Sequence, residues 1–307
     1  MPITPHPAKL FDPTQRHLVV LAHQDDELPY AGLLTRMLNG PAENFRVCYV
    51  TNGDGLAHES SMGPKPYANL RRLESTRALN RLAIGDQQTT WWEHSELSLY
   101  AEFGEMSDDV AGDRPIFPEF EEIAAEIQSV VDDFRPDAVW TMAWQGGNPE
   151  HDLTHAAVVR AVRSAAVTER REIPVFELPA YELFVVAMRF RPWVRRDKHR
   201  IYLTDAELAA KTDMLEMYPS QERVISELRR AAVVAGKLGR LIGRGFTLEE
   251  FAAVEEFAQV PTDRDYTRST HLSARFDYPG DDWQGKPIVF GRTLARVGSA
   301  WLKQRPS

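Results

Sequence analysis

The sequence predicts an α/β fold: a Rossmann-like, mostly parallel sheet flanked by helices, with a C-terminal helical and irregular extension. Three observations carry this. Apolar, strand-like runs alternate with helix-like stretches between residues 17 and 166, the order of βαβ units. The runs "HLVVLA" (17–22), "FRVCYV" (45–50) and "DAVWTMA" (137–143) show no polar alternation, as expected of strands buried on both faces. Each gives way to a polar loop, and sheets of this kind bind ligands just beyond the carboxyl ends of their strands.

In chain order, "HLVVLA" is the first strand, and "YAGLLTRMLNG" (30–40) has helical spacing and stops at Gly40. "FRVCYV" is the second strand and ends in the turn-rich "TNGDG" (51–55). "ANLRRLESTRALNRLAI" (68–84) reads as an amphipathic helix and "TTWW" (89–92) as a third strand. Residues 93–115 read as a loop placed to act as a lid. A helix follows over 117–134 and stops before Pro136; then come "DAVWTMA", the loop "WQGGNPE" (144–150) and a helix over 151–166. From 205 to 258 the pattern is mainly helical, and 259–307 is irregular, with turn signals such as "YPGDDW". The expected organisation is one domain over 1–240 and an extension over 241–307 packed on it.

The 307 residues are 43% hydrophobic, enough for one large core, and carry 36 basic against 45 acidic residues for a net charge of −9. That balance argues against a nucleic-acid surface. Arg189, Arg191, Arg195 and Arg196 form a short basic cluster that reads as a solvated face. The single cysteine, Cys48, lies in an apolar run, reads as a buried inert thiol, and calls for no oxidising compartment. The N-terminal stretch lacks a signal-peptide core, and no apolar run approaches the ~20 residues of a membrane span, so a soluble, cytoplasmic protein is expected. A homo-oligomer is compatible with the composition.

The loop after the first strand holds His23, Asp25, Asp26 and Glu27. Aspartates at a helix start commonly cap it, but His-x-Asp-Asp-Glu straight after an apolar strand exceeds what capping needs. A neutral imidazole and a carboxylate three residues apart suit zinc, and the loop after the fourth strand offers His151 as a third ligand. Three protein ligands and one water describe an open, catalytic site, and Asp25, between two of the ligands in sequence, is placed to take a proton. His151 and His155 are four apart on one helix face and can share a metal as well; lacking the zincin Glu, His155 reads better as a helix-face residue or a support of the site. His6, His17, His58, His94, His199 and His271 show no ligand spacing and read as surface or packing residues. Trp91, Trp92, Trp144 and Tyr100 fall in or near the predicted rim, where they can stack on a sugar or another flat group, with core packing the favoured role for Trp91 and Trp92.

These residues resemble a family. "AHQDDE" (22–27) is similar to the Ala-His-Pro-Asp-Asp-Glu motif of the PIG-L/LmbE-like zinc-dependent N-acetylglucosaminyl deacetylases, and "GGNPEHD" (146–152) to their second motif, commonly Gly-Gly-His-Pro-Asp-His-Asp. "TNGDG", "RRLE" (71–74) and "KTDMLEMYPSQ" (211–221) also fit, so the resemblance covers about residues 16–222. It implies His23, Asp26 and His151 as ligands of Zn2+, with Fe2+ as the alternative ion. It further implies Asp25 as general base and Arg71 as a sugar contact, though a surface helix arginine explains Arg71 nearly as well. The implied reaction is hydrolysis of an N-acetyl or N-acyl amide on an amino-sugar-containing small molecule. The family's acidic substrate contact has no unambiguous counterpart in "EHSELS" (93–98). Gln24 replaces the usual proline, Glu150 an aspartate, and Asn148 the histidine expected to stabilise the reacting carbonyl oxygen; an amide still donates a hydrogen bond there. Two other readings stand beside this one: a zinc- or sugar-binding protein without activity, and an amidohydrolase of a non-sugar natural product.

Overall fold

A computed structural model describes residues 10–180, 188–191, 197–240, 245–270, 278 and 281–303. His6, His271, Arg195 and Arg196 lie outside these residues.

The first strand, β1 (His17–Leu21), is buried along its whole length. Leu18 and Val20 enter one apolar cluster while Val19 and Leu21 enter another, so the uninterrupted apolar run serves both faces. Around it β2 (Phe45–Thr51), β3 (Thr89–His94), β4 (Ala138–Met142) and β5 (Val175–Leu178) pair in parallel. Two strands, β6 (His199–Tyr202) and β7 (Val254–Gln259), complete a seven-stranded sheet of order β3-β2-β1-β4-β5-β7-β6, with β7 antiparallel to both neighbours. The chain steps outward from β1 to β3 and then resumes on the other side at β4. The topological switch point therefore lies between β1 and β4, and the ligand crevice is expected there.

The helices are α1 (Ala31–Met37), α2 (Pro64–Arg81), α3 (Glu96–Asp108), α4 (Pro118–Phe134) and α5 (Pro149–Glu169), then α6 (Asp205–Glu216), α7 (Glu222–Arg240), α8 (Leu248–Ala252) and α9 (Leu294–Leu302). No helix among the described residues is long and apolar enough to cross a membrane.

Four expectations are corrected. Residues 93–115 are not a loop throughout: β3 runs to His94, Ser95 caps α3 through its side chain, and the helix reaches Asp108. Its Gly104 weakens the helical pattern but makes room for Trp283, which a Cβ would meet at 2.7 Å. Helix does not continue to 258, because Val254–Gln259 is strand β7. Its "VEE" reads as helical or exposed, yet Glu255 and Glu256 are buried and paired. Glu255 accepts from the Gly32 and Leu33 amides at the start of α1 (3.1 and 2.8 Å) and from Lys211 (3.1 Å), while Glu256 accepts from Arg200 (2.7 Å) and Lys198 (2.9 Å). Of the basic cluster, Arg191 is buried and Arg189 half-buried over the Phe251 ring, so neither belongs to a solvated face. Trp144 is buried, with its indole N–H donating to Arg268 O (2.8 Å), and offers no rim platform.

Other expectations hold. Cys48 is buried, and burial pushes its thiol up to about 12. Trp91 is half-buried and stacks on Tyr49. No placement of the tail is read from the sequence; there α9 buries Leu294 and Val297, and Arg163 of α5 donates to Leu302 O (3.0 Å).

Candidate metal centre and its pocket

Two loops meet at the switch point. The β1 loop carries His23–Glu27. The β4 loop is closed by Asp152, whose carboxylate accepts the Gln145 and Gly146 amides (both 2.9 Å) and the Tyr278 hydroxyl (2.7 Å). Asn148 caps α5 by accepting the His151 amide (2.9 Å), and Pro149 fills the first helical position. His151 thereby sits in the first turn of α5, facing the β1 loop.

His23, Asp26 and His151 form the one group of three metal-binding side chains found among the described residues. The imidazole centroids lie 4.8 Å apart. Asp26 Oδ2 is fixed by the Ala22 and His23 amides (3.0 and 3.1 Å), which turns Oδ1 toward His151 Nε2 (2.9 Å) and His23 Nδ1 (3.6 Å). Ligand atoms held tetrahedrally ~2.0–2.2 Å from zinc lie roughly 3.3–3.6 Å from each other. Two imidazoles and a carboxylate, buried or nearly so and with ligand atoms all within 4.8 Å of one another, can close around such an ion. Burial would raise the Asp26 carboxyl, but His151 and His23 outweigh it and hold it below the usual carboxylate range. Burial would likewise lower His23, but the carboxylates of Asp26 and Asp25 hold it well above the ordinary imidazole value.

Asp25 stands beside this group. Its Oδ1 is 3.2 Å from His23 Nδ1, and its Oδ2 accepts from Arg71 (3.0 Å). Desolvation alone would raise its carboxyl; the Arg71 guanidinium and His23 keep it lowered. The backbone of Asp25 has φ 102°, unusual for an L-residue, and Glu27 Oε2 holds it by accepting the Asp25 amide (3.0 Å). Glu27 is buried; desolvation raises its carboxyl to about 7, although Tyr218 donates to it.

Arg71 is no surface arginine. It is buried, donates to Gln24 O as well as Asp25, and lies over the Tyr218 ring. The three weaker motif stretches join here: Glu74 accepts the Ser220 amide (2.9 Å), and Gln221 donates to Tyr67 OH (3.0 Å). Gln24 pins the β1 loop by donating to Thr51 O (3.0 Å). Gly53, at φ 73°, allows this, since a Cβ there would lie 2.3 Å from Gln24 Oε1. His155 is apart from the centre: its Nδ1 donates to Met142 O (2.8 Å), and its Nε2 lies 3.3 Å from Tyr266 OH.

A polar cavity of about 950 Å³ opens over the group, with His23, Asp25, Arg71 and Asn148 in its wall. The cap commits Asn148 Oδ1, leaving Nδ2 as the donor able to face the cavity. Three more acidic residues line it: Glu96 and Asp281, given no role in the sequence, and Glu150, noted there only as replacing an aspartate. Glu96, at the start of α3, accepts from Thr51 Oγ1 (2.8 Å) and the Gly55 amide (2.9 Å). Glu150 is buried, and its carboxyl is raised well above the usual range by desolvation and by Glu96. Asp281, from the unplaced tail, accepts from Tyr100 (3.0 Å), and desolvation raises it to about 6. The only advance signal for Glu96 was the acidic "EHSELS" after β3; nothing in the tail marked Asp281.

Fold and site together define a class: doubly wound α/β proteins with a His-Asp-His cluster at the carboxyl ends of their strands. Residues 18–162 match the family described as PIG-L: GlcNAc-PI de-N-acetylase. No curated protein sequence matches this chain. Among solved structures, it is similar in fold to a deacetylase of teicoplanin biosynthesis in a bog complex, at 18% identity, with 81% of this chain and 100% of that chain covered and a TM-score of 0.54. It is also similar to the zinc-inhibited form of teicoplanin deacetylase Orf2, at 18% identity, 81% and 100% coverage and a TM-score of 0.53. The A40926 pseudoaglycone deacetylase Dbv21 follows at 16% identity, 80% and 96% coverage and a TM-score of 0.51.

Proposed function

We propose that this chain is a zinc-dependent N-deacetylase that hydrolyses the N-acyl amide of an amino-sugar-containing small molecule, with His23, Asp26 and His151 as ligands and Fe2+ as the alternative ion. The observation that supports it most is an ionised carboxylate, Asp25, beside a His-Asp-His group, with Asp25 and His23 in the wall of a cavity that opens there. Binding alone does not need that carboxylate. The family match and the activities named for the similar structures, all deacetylases, fit the same reading.

An ion held by the three side chains supplies a Lewis acid that polarises the amide carbonyl and acidifies water near neutral pH. Asp25, kept ionised by Arg71, accepts the proton released as water oxygen bonds to the carbonyl carbon. As the C–N bond breaks, Asp25 returns that proton to the departing nitrogen. Asn148 Nδ2 donates to the carbonyl oxygen as negative charge grows there. Glu27 keeps Asp25 in its left-handed conformation, and Arg71 borders the cavity while holding Asp25.

The test is acetate release from a panel of N-acetyl glycosides by protein of known metal content. Release that stops with a chelator and returns with zinc is expected. Stoichiometric metal with no amide hydrolysed anywhere in the panel would sink the reading.

A further inference from the structure

A second cavity, of about 700 Å³, reaches the same centre, with Asp25, Asp26 and His151 in its lining. Its character differs from that of the polar cavity. Leu208 and Leu215 of α6, Ile225 and Ala232 of α7, and Phe251 of α8 form its walls. The two cavities share Asp25, Gln221 and, from the first half of α7, Val224, Leu228 and Ala231.

Helix α7 supplies the second observation. Its Val224, Ile225, Leu228, Ala231, Ala232 and Ala235 recur at helical spacing, yet Gly236 is its only buried residue among those described. An apolar stripe of this length normally packs into a core. Here all six residues line the cavity. The charged groups of the wall do not make it an anion site. Lys211 is committed to Glu255, Pro29 O and Ala252 O, half-buried Arg189 donates to Met188 O and Phe251 O, and Glu216, Arg229 and Glu249 are exposed.

We infer that this cavity holds a long aliphatic acyl chain, so that the substrate class is an amphiphilic N-acyl amino sugar: polar sugar in one cavity, chain in the other, amide at their junction beside Asp25. The inference rests on the hydrolase reading above and narrows it. An acetyl methyl would leave this second cavity almost empty, whereas its volume is that of sites holding whole small ligands.

The test uses the zinc-loaded protein with N-acetyl-, N-hexanoyl- and N-decanoylglucosamine below their micellar concentrations. Turnover gives kcat/KM; if no probe is hydrolysed, calorimetry on the same holoprotein gives Kd. Preference for decanoyl over acetyl by at least about tenfold is expected, the worth of roughly two fully buried methylenes. Ala232→Trp, which fills the apolar cavity, should lower the decanoyl-to-acetyl ratio at least about tenfold; Ala235→Leu is the milder filling should the first variant not fold. Equal handling of acetyl and decanoyl by the wild type, or a ratio unmoved by filling, overturns the inference. Chain-length-dependent binding without turnover of any probe would keep the acyl cavity and refute the hydrolase reading instead.

Discussion

Arg71 Nη2 lies 3.0 Å from Asp25 Oδ2, joining α2 to the β1 loop across 46 residues of sequence. The pair helps keep Asp25 ionised: desolvation pushes the carboxyl up, and the guanidinium together with His23 reverses it. Replacing Arg71 by Met removes the opposing charge, so the Asp25 pKa rises. A reaction that needs ionised Asp25 then has its acidic limb moved to higher pH, by about 1–3 units for loss of an adjacent cation. The check is kcat/KM against pH for both proteins. An unmoved limb, with activity merely scaled down, would mean that Arg71 does not set the charge of the base. Breaking a buried pair also costs about 3 kcal/mol or more, so Tm is measured alongside.

Ligand and base separate by substitution. His23→Ala removes one of three ligands and should lose metal and turnover together. Asp25→Asn removes the proton acceptor and should keep metal near one equivalent while turnover falls about 10²-fold or more, the usual worth of a general base. Elemental analysis with amide hydrolysis decides, and equal metal loss in both variants would end the division of roles.

Asn148 combines two roles that one substitution can divide. Its Oδ1 caps α5, and its Nδ2 is the donor proposed for the reacting oxygen. Asp caps as well as Asn but carries no amide donor. Asn148→Asp should therefore leave Tm nearly unchanged while kcat falls, toward the ~10²–10³ that loss of one such donor costs. Asn148→Ala should lose both, with about 1 kcal/mol of stability gone as well. Full activity in the Asp variant would show that the amide does not reach the substrate.

How much of this was legible in the sequence follows from what each signal depends on. β1, β2 and β4 announced themselves because both faces of each are largely buried, so no polar alternation marks the run. His23, Asp26 and His151 were legible because each lies in, or just past, the loop after a strand, and strand ends in a parallel sheet gather on one rim. Edge-side β6 and antiparallel β7 were not, since "HRIY" and "VEEFAQ" carry charges whose partners come from distant segments, such as Lys211 on Glu255. Glu27, Glu150 and Asp281 are polar in composition but buried in place, and burial is a property of the assembled fold rather than of local spacing.

His17 gives a pH dependence away from the centre. It starts β1, is buried, and accepts the Trp140 indole N–H at Nδ1 (3.2 Å). Since the indole only donates, Nδ1 must be unprotonated in the fold. Burial lowers the imidazole from 6.5 to about 4, opposed only weakly by Asp137. Between those values the unfolded chain takes up a proton that the folded chain refuses. Stability is therefore fully present above pH 6.5 and falls as pH drops toward 4, by roughly 3 kcal/mol in all from this one group. His17→Asn keeps an acceptor for Trp140 near the position of Nδ1 and removes the titration. Urea unfolding of both proteins at pH 7, 6 and 5 should show a shallower loss of stability in the variant. Equal slopes would mean that His17 takes its proton in the fold as easily as out of it, and that the Trp140 contact does not hold it neutral.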